Sequence, residues 1–364
     1  MKIRNITDYL EEIAPLHLQE SYDNSGLIIG DLENIVQGCL ITLDCTEEVI
    51  DEAVRKKCNL IIAHHPIIFN PLKKIVGNSY VERTIIKAIK NDIAVYAIHT
   101  NLDNVYGGVN SKIAEKLGLI NCEILLPKNK FLKQLVVYCP LTHSETLKEV
   151  MLDNGAGSST NYDNCSFSSI GQGTFRPKEG SSPFVGDIGE IYDSKEVRLE
   201  FFLQKDTENS LIKVMQENHP YEQVAYQIYT LDNFSSDIGS GIIGDLSSEI
   251  DSEIFMNFIK KQMHTDCIRH TQLINKQIKR VAICGGSGSF LLQQAKNKKA
   301  DIFISSDFKY HEFFDADKKI IIADIGHFES EQFTKELIFD FLRKKFTKFA
   351  VQLSNVNTNP INYL

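Results

Sequence analysis

The sequence predicts an α/β protein whose core is built in two halves with mostly parallel sheets, interrupted by a smaller inserted domain of βαββαβ order. Three observations predict it. Up to about residue 120, short apolar runs alternate with longer amphipathic stretches, the pattern of strands joined by crossover helices. The same alternation resumes after about residue 236. Between the two, the order changes to strand, helix, two strands, helix, strand.

In the first half, apolar runs place strands at 26–30, 38–43, 59–63 and 93–98, and amphipathic periodicity places helices near 5–14, 46–57, 79–91 and 107–117. The middle segment reads as strand 132–139, helix 143–154, a polar, Gly-containing strand region 161–175, strand 187–203, helix 207–218 and strand 223–231, the ferredoxin-like plan. Pro127, Pro140, the Gly-Ser segment 155–159 and the turn-rich stretch 176–186 punctuate it. The alternation at 161–170 is that of an amphipathic strand. The second half has strand candidates at 241–246, 267–272, 279–284, 300–304, 319–323 and 349–353, with helices near 251–263, 289–298, 308–315 and 329–346. The expected domains are therefore 1–127 and 234–364 as two halves of one core, with 128–233 inserted. A short echo supports two related halves: Gly-Leu-Ile-Ile-Gly-Asp (26–31) recurs as Gly-Ile-Ile-Gly-Asp (241–245).

At 364 residues the chain is too long for one ordinary core. Hydrophobic residues at 43% and charged residues at 24% fit a soluble globular protein. No apolar run approaches the roughly 20 residues of a membrane span, and the start Met-Lys-Ile-Arg is unlike a signal peptide, so a cytoplasmic location is expected. The eight cysteines (39, 45, 58, 122, 139, 165, 267 and 284) include no Cys-x-x-Cys pair, which points to buried free thiols. A net charge of −9 argues against a general nucleic-acid surface, and the local group Lys296, Lys298 and Lys299 reads as a solvated helix end.

Four strand candidates end in polar clusters. After 59–63 come His64 and His65; after 93–98, His99, Asn101 and Asp103; after 300–304, Ser306, Asp307 and His311; after 319–323, His327 and Glu331. Ligands collect outside the carboxyl ends of strands in open α/β sheets. Adjacent histidines in a continuing strand would face opposite ways, but Pro66 ends the strand, so both rings can turn into one cleft. His327 and Glu331 are four apart at a helix start and share a face; Glu331 is the candidate to bridge two cations. Asp103 adds a hard oxygen ligand. His99, Asp307 and His311 are the candidate acid/base or supporting residues. The bland alternative is a set of loop tips that never converge. Imidazole and carboxylate ligands with no thiolate suit two divalent ions, zinc foremost, with manganese or iron as alternatives; positions left to water would supply a hydroxide nucleophile.

Gly285-Gly286-Ser287-Gly288-Ser289 follows a strand and opens a helix, so its N–H groups could hold an anion. It lacks Gly-Lys-Ser/Thr and the third glycine of a dinucleotide fingerprint, and a plain glycine turn explains it equally well.

Ile-Ala-His-His-Pro, His-Thr-Asn-Leu-Asp, Gly-Gly-Ser-Gly, Ser-Asp-Phe-Lys-Tyr-His and Gly-His-Phe-Glu-Ser-Glu together resemble the NIF-three-like family, the GTP cyclohydrolase I type 2 homologues. The resemblance extends through the middle segment, where Tyr162-Asp163, Gly171-Gln172-Gly173-Thr174-Phe175-Arg176-Pro177 and His219-Pro220-Tyr221-Glu222 look like the longer bacterial members with a PII- or CutA-like insert. It implies ions held by His64, His65, Asp103, His327 and Glu331, and a toroidal homohexamer with the metal sites facing an inner cavity. It also implies opening of the guanine imidazole ring of GTP. Ser305-Ser306-Asp307 departs from the Thr-Gly-Asp or Ser-Gly-Asp of many members, which touches the loop before Asp307 and not the ligands.

Two functions are then expected. One is a dinuclear metal-dependent hydrolase acting on a nucleotide or related small molecule, with His99 or His311 moving protons. The other is a non-catalytic metal-binding or regulatory protein whose PII-like insert senses a ligand or partner. A plain α/β scaffold would require five ligand-type residues to match by accident.

Overall fold

The computed structural model describes residues 1–158, 162–274 and 277–364, so the first residue of the expected strand region 161–175 and the last of the Gly-Ser segment 155–159 lie outside the described residues. The chain is a mixed α/β protein with three sheets among the described residues, divided into two compact units: 1–127 with 236–364, and 128–235.

In the first unit, one sheet has the order Gly26–Ile29, Ala94–Ala97, Leu60–Ala63, Cys39–Thr42, Val351–Leu353. Its last four strands run parallel, and only Gly26–Ile29 is antiparallel. Leu60–Ala63, Cys39–Thr42 and Ala94–Ala97 are buried at every position, which explains their unbroken apolar runs. Leu40, Ile61 and Val95 pack beneath Val49, Ile50 and Ala53 of helix Glu47–Arg55 and Ala88 of helix Tyr80–Lys90. Each of these Leu, Ile and Val side chains contributes about 1.5–3 kcal/mol of burial free energy. Thr46 and Ser79 cap the two helices by accepting from Val49 N and Glu82 N.

The second sheet has the order Arg269–His270, Ile321–Asp324, Ile302–Ser306, Gln277–Ser287, Phe234–Asp251, Ile120–Asn129. Its central three strands are parallel. The strand holding Gly241–Asp245 runs antiparallel to Gln277–Ser287, as Gly26–Ile29 does to its own neighbour. The two copies of the short sequence echo thus take the same structural role.

Several boundaries differ from the sequence expectation. Ile120–Asn129 is a strand that polar residues and Pro127 conceal. The stretch 267–272 forms only a two-residue strand. The expected helix 308–315 is a 3-10 helix, Tyr310–Ala316, and 329–346 is broken into His327–Glu331 and Thr334–Lys345. The break lets the first piece turn Glu331 inward while the second buries Leu337, Ile338 and Leu342.

The second unit has an antiparallel sheet ordered Ser166–Phe175, Tyr192–Gln204, Leu132–Pro140, Tyr226–Thr230. Helices Ser144–Asp153 and Glu208–Asn218 cover one face through Leu147, Met151, Leu211 and Met215, packed on Leu135, Val137, Leu199 and Phe201. Strand alternation leaves Tyr138, Glu196 and Arg198 on the other face. The third strand begins at Tyr192, not at 187, because 176–191 is a long loop.

Candidate metal centre

His64 and His65 follow strand Leu60–Ala63, and their amides still bond to the neighbouring strand, at Thr42 O and Leu43 O. The chain then turns, so the rings lie 4.9 Å apart at 44° instead of on opposite faces. His64 is fully buried. Its Nδ1 donates to the Ile98 carbonyl (2.8 Å), which leaves the Nε2 lone pair pointing into the site. Nε2 lies 3.6 Å from Asp103 Oδ1 and 3.9 Å from Glu331 Oε2. Among the described residues neither His64 Nε2 nor Asp103 Oδ1 has a hydrogen-bond partner. Each such buried orphan costs about 1–3 kcal/mol, so a gap between two of them fits a cation accepting both lone pairs.

Glu331 is the hub. Its Oε2 lies 2.9 Å from His65 Nε2 and 3.1 Å from His327 Nε2. Two ligand-type groups share this carboxylate, His64/Asp103/Glu331 and His65/His327/Glu331; a third comprises His64, His65 and His99. Gly286 allows the arrangement: its φ is +61°, and a Cβ there would stand 2.4 Å from Glu331 Oε1.

Carboxylates behind the histidines fix their rings. Asp44 Oδ1 is 2.7 Å from His65 Nδ1, Asp23 Oδ1 is 2.7 Å from His99 Nδ1, and Asp307 Oδ2 is 2.7 Å from His327 Nδ1. Burial opposes charge on His65, but Asp44 and Glu331 outweigh it and push the imidazole up to about 9. His327 is pushed to about 11, burial again being overcome, by Glu331 and Asp307. Burial and then the Glu331 charge raise the Asp103 carboxyl to about 7. Glu331 itself stays well below the usual carboxylate range, because its imidazole neighbours outweigh burial. Without a cation the site holds protons where a cation would sit.

The structure therefore brings His64, His65, His99, Asp103, His327 and Glu331 into one site; all but the buried His64 line a cavity of about 460 Å³. They come from the strand ends of two different sheets, not from one common edge. Asp307 sits beside them as the partner of His327 and of Ser287 Oγ. His311 is exposed on its 3-10 helix, with ring contacts to Tyr310 and Phe314, and is not brought into the site within this chain. The glycine loop is no anion cradle: Gly285 N donates to Asn110 Oδ1, Gly286 N to Ser330 Oγ and Gly288 N to Ser305 Oγ. All three glycine amides are already engaged, and Gly285 and Gly286 make room for Glu331.

Sequence reasoning missed Asp44 and Asp23. Asp44 lies just beyond the carboxyl end of strand Cys39–Thr42, where the rule that found the other clusters applies equally. Asp23 precedes an antiparallel strand, and no local signal marks it.

The profile of the family described as Duf34/NIF3 (NGG1p interacting factor 3) matches residues 1–360. A GTP cyclohydrolase 1 type 2 homolog of Bacillus subtilis (strain 168) is 38% identical over 367 residues, covering 99% of this chain and 98% of the relative. That of Halalkalibacterium halodurans is 38% identical over 372 residues, with both chains fully covered. Among solved structures, a Bacillus cereus protein related to NIF3 superposes with a TM-score of 0.86 at 38% identity, over 100% of this chain and 99% of the other. A Staphylococcus aureus protein does so with a TM-score of 0.81 at 30% identity, again over 100% and 99%. No helix among the described residues is long and apolar enough to cross a membrane.

Proposed function

The chain belongs to the Duf34/NIF3 family, and from that premise we propose that it is a metal-dependent hydrolase of a nucleotide or related small molecule, with two divalent ions, zinc foremost, at the His/Asp/Glu centre. The observation that carries this reading is the facing pair of buried, unpartnered ligand atoms, His64 Nε2 and Asp103 Oδ1, beside a carboxylate that also reaches His65 and His327. On this reading His64, Asp103 and Glu331 would hold one ion and His65, His327 and Glu331 the other, with Glu331 common to both sets. Divalent ions so placed supply Lewis acidity and make water in contact with them acidic near neutral pH.

The chain's own residues would do the rest. Asp44 and Asp307 keep the Nδ1 protons of His65 and His327 turned away, so that each Nε2 faces the ions. His99, held by the buried Asp23, lies with its ring 5.2 Å from those of both His64 and His65 and is placed to move a proton to or from a bound substrate. Tyr22, Phe69 and Phe290 line the same cavity and offer apolar faces to a planar substrate. The relatives' name suggests GTP, with attack at the imidazole carbon of guanine. A cytoplasmic homohexamer and a ferredoxin-like, PII-like reading of the 128–235 unit belong to the same proposal; the βαββαβ order supports the latter.

The test is the metal content of protein purified without chelator, followed by a nucleotide and phosphoester screen beside His64→Ala. Less than about one transition-metal ion per chain would overturn the metal centre. Equal turnover by both proteins would overturn the catalytic role.

A further inference from the structure

Two sequence motifs outside the metal centre meet in the 128–235 unit. Gly171–Pro177 ends one strand and enters the long loop; His219–Glu222 follows helix Glu208–Asn218. Together with the loop they enclose a cavity of about 940 Å³ on the sheet face that the helices leave bare. That volume is in the range of small-molecule sites.

The second motif is built as a support. His219 Nε2 is 3.0 Å from the Tyr138 carbonyl, and its Nδ1 accepts from Tyr221 N. Tyr221 in turn donates its hydroxyl to Glu196 Oε1 at 2.8 Å. Glu222 accepts from Ser182 N and ties down the loop. Glu196 is 8% exposed, so a carboxylate with capacity for several donors sits in the cavity wall, with one side-chain hydrogen bond, from Tyr221, among the described residues. Gly173 runs directly over it: a Cβ there would stand 2.3 Å from Glu196 Oε2. At Gly171 a Cβ would meet nothing within 4 Å, so the missing side chain leaves open space.

The remaining walls are of two kinds. Phe175 and Phe184 flank Tyr221 at 6.1 and 6.2 Å between ring centroids, an aromatic surface suited to a planar ring. Arg176 and Lys178 line the same cavity, and neither side chain has an ion-pair partner among the described residues.

We propose that this cavity binds an anionic small molecule with a planar ring carrying N–H donors, a nucleoside phosphate being the simplest example. The ring lies on Phe175, Tyr221 and Phe184, its N–H groups donate to Glu196, and its anionic end meets Arg176 and Lys178. This site is separate from the metal centre and does not depend on the hydrolase reading.

The test is calorimetric titration of the full-length protein with GTP, ATP, guanosine and tripolyphosphate. Saturable binding of at least one nucleotide is expected, with guanosine and tripolyphosphate each weaker. Binding should persist in Glu331→Gln, fall about tenfold or more in Arg176→Ala and Glu196→Gln, and be lost in Gly171→Leu, which fills the open space. Should Glu196→Gln fail to fold by circular dichroism, the other two variants decide, since the Arg176 side chain has no ion-pair partner among the described residues and Gly171 has room. No binding of any probe to the unaltered protein would overturn the proposal. So would binding that vanishes in Glu331→Gln, or that is unchanged in Arg176→Ala and Gly171→Leu. Tripolyphosphate binding as tightly as GTP would overturn the ring contact.

Discussion

Thr358 Oγ1 donates to Asp44 Oδ2 at 2.6 Å, while the other oxygen of Asp44 holds His65 Nδ1 at 2.7 Å. The tail after strand Val351–Leu353 thus reaches the candidate metal centre through one carboxylate. It also touches the other side of the site, where Asn359 Nδ2 donates to Glu329 Oε1 two residues from Glu331. Loss of a group that orients a ligand reduces metal affinity by about ten- to a hundredfold, so loss of a hydrogen bond to that group falls at the low end of this range. Thr358→Val, which keeps the shape and removes the hydroxyl, is expected to weaken metal binding about tenfold in competition with a chromogenic chelator, with thermal stability of the cation-free protein little changed. Unchanged affinity would mean that the tail packs beside the site without positioning it.

The shared carboxylate predicts unequal effects for two variants of similar size. Glu331→Gln removes an oxygen ligand common to both ligand groups, so bound metal should fall close to zero. Asp103→Asn affects only the group with His64, so about one ion per chain should remain. Metal analysis after gel filtration reads both. A Glu331→Gln protein that keeps one ion, or an Asp103→Asn protein that keeps none, would rule out bridging by Glu331.

Much of this site is legible in sequence because its candidate ligand residues follow buried strands. Leu60–Ala63 is apolar throughout, so the polar His64 and His65 stand out, and Pro66 shows where the strand stops. What stays hidden depends on pairing across the chain. Asp23 meets His99 from 76 residues away, and Glu331 meets His65 from 266 residues away. Periodicity cannot show that the two pairs of strand ends belong to different sheets facing one cavity. Nor can it show that Asp307 is used to hold a ring, or that the amides of the glycine loop are already bonded. The break between His327–Glu331 and Thr334–Lys345 is equally silent, since helix formers run through it without Gly or Pro.

Proton release should accompany metal uptake. In the cation-free site the His65 imidazole is pushed to about 9 by Asp44 and Glu331 against burial, and His327 to about 11 by Glu331 and Asp307. At pH 7 both rings carry a proton that a cation must displace, so affinity rises with pH. Titration in buffers of different ionisation enthalpy should show about one to two protons released per chain at pH 7. The sign for stability is opposite: a raised imidazole stabilises the cation-free fold fully below its ordinary value near 6.5 and loses that contribution as pH climbs through about 9 for His65. Urea unfolding of stripped protein should therefore weaken between pH 7 and 10, and a midpoint independent of pH over that window would contradict the charge arrangement.

Ser306 has a fully buried side chain whose Oγ has no hydrogen-bond partner among the described residues. A buried hydroxyl left unpaired costs about 1–3 kcal/mol of desolvation, whereas removing it deletes one oxygen from the core and leaves little void. The next residue, Asp307, has φ of +58°, a conformation that aspartate tolerates better than most residues and that aims its carboxylate at His327. Ser306→Ala should leave that backbone in place and remove the unpaired group. The expected result is a thermal midpoint equal to or above that of the parent, with metal content unchanged. Destabilisation by more than about 1 kcal/mol would show that the hydroxyl does find a partner in solution.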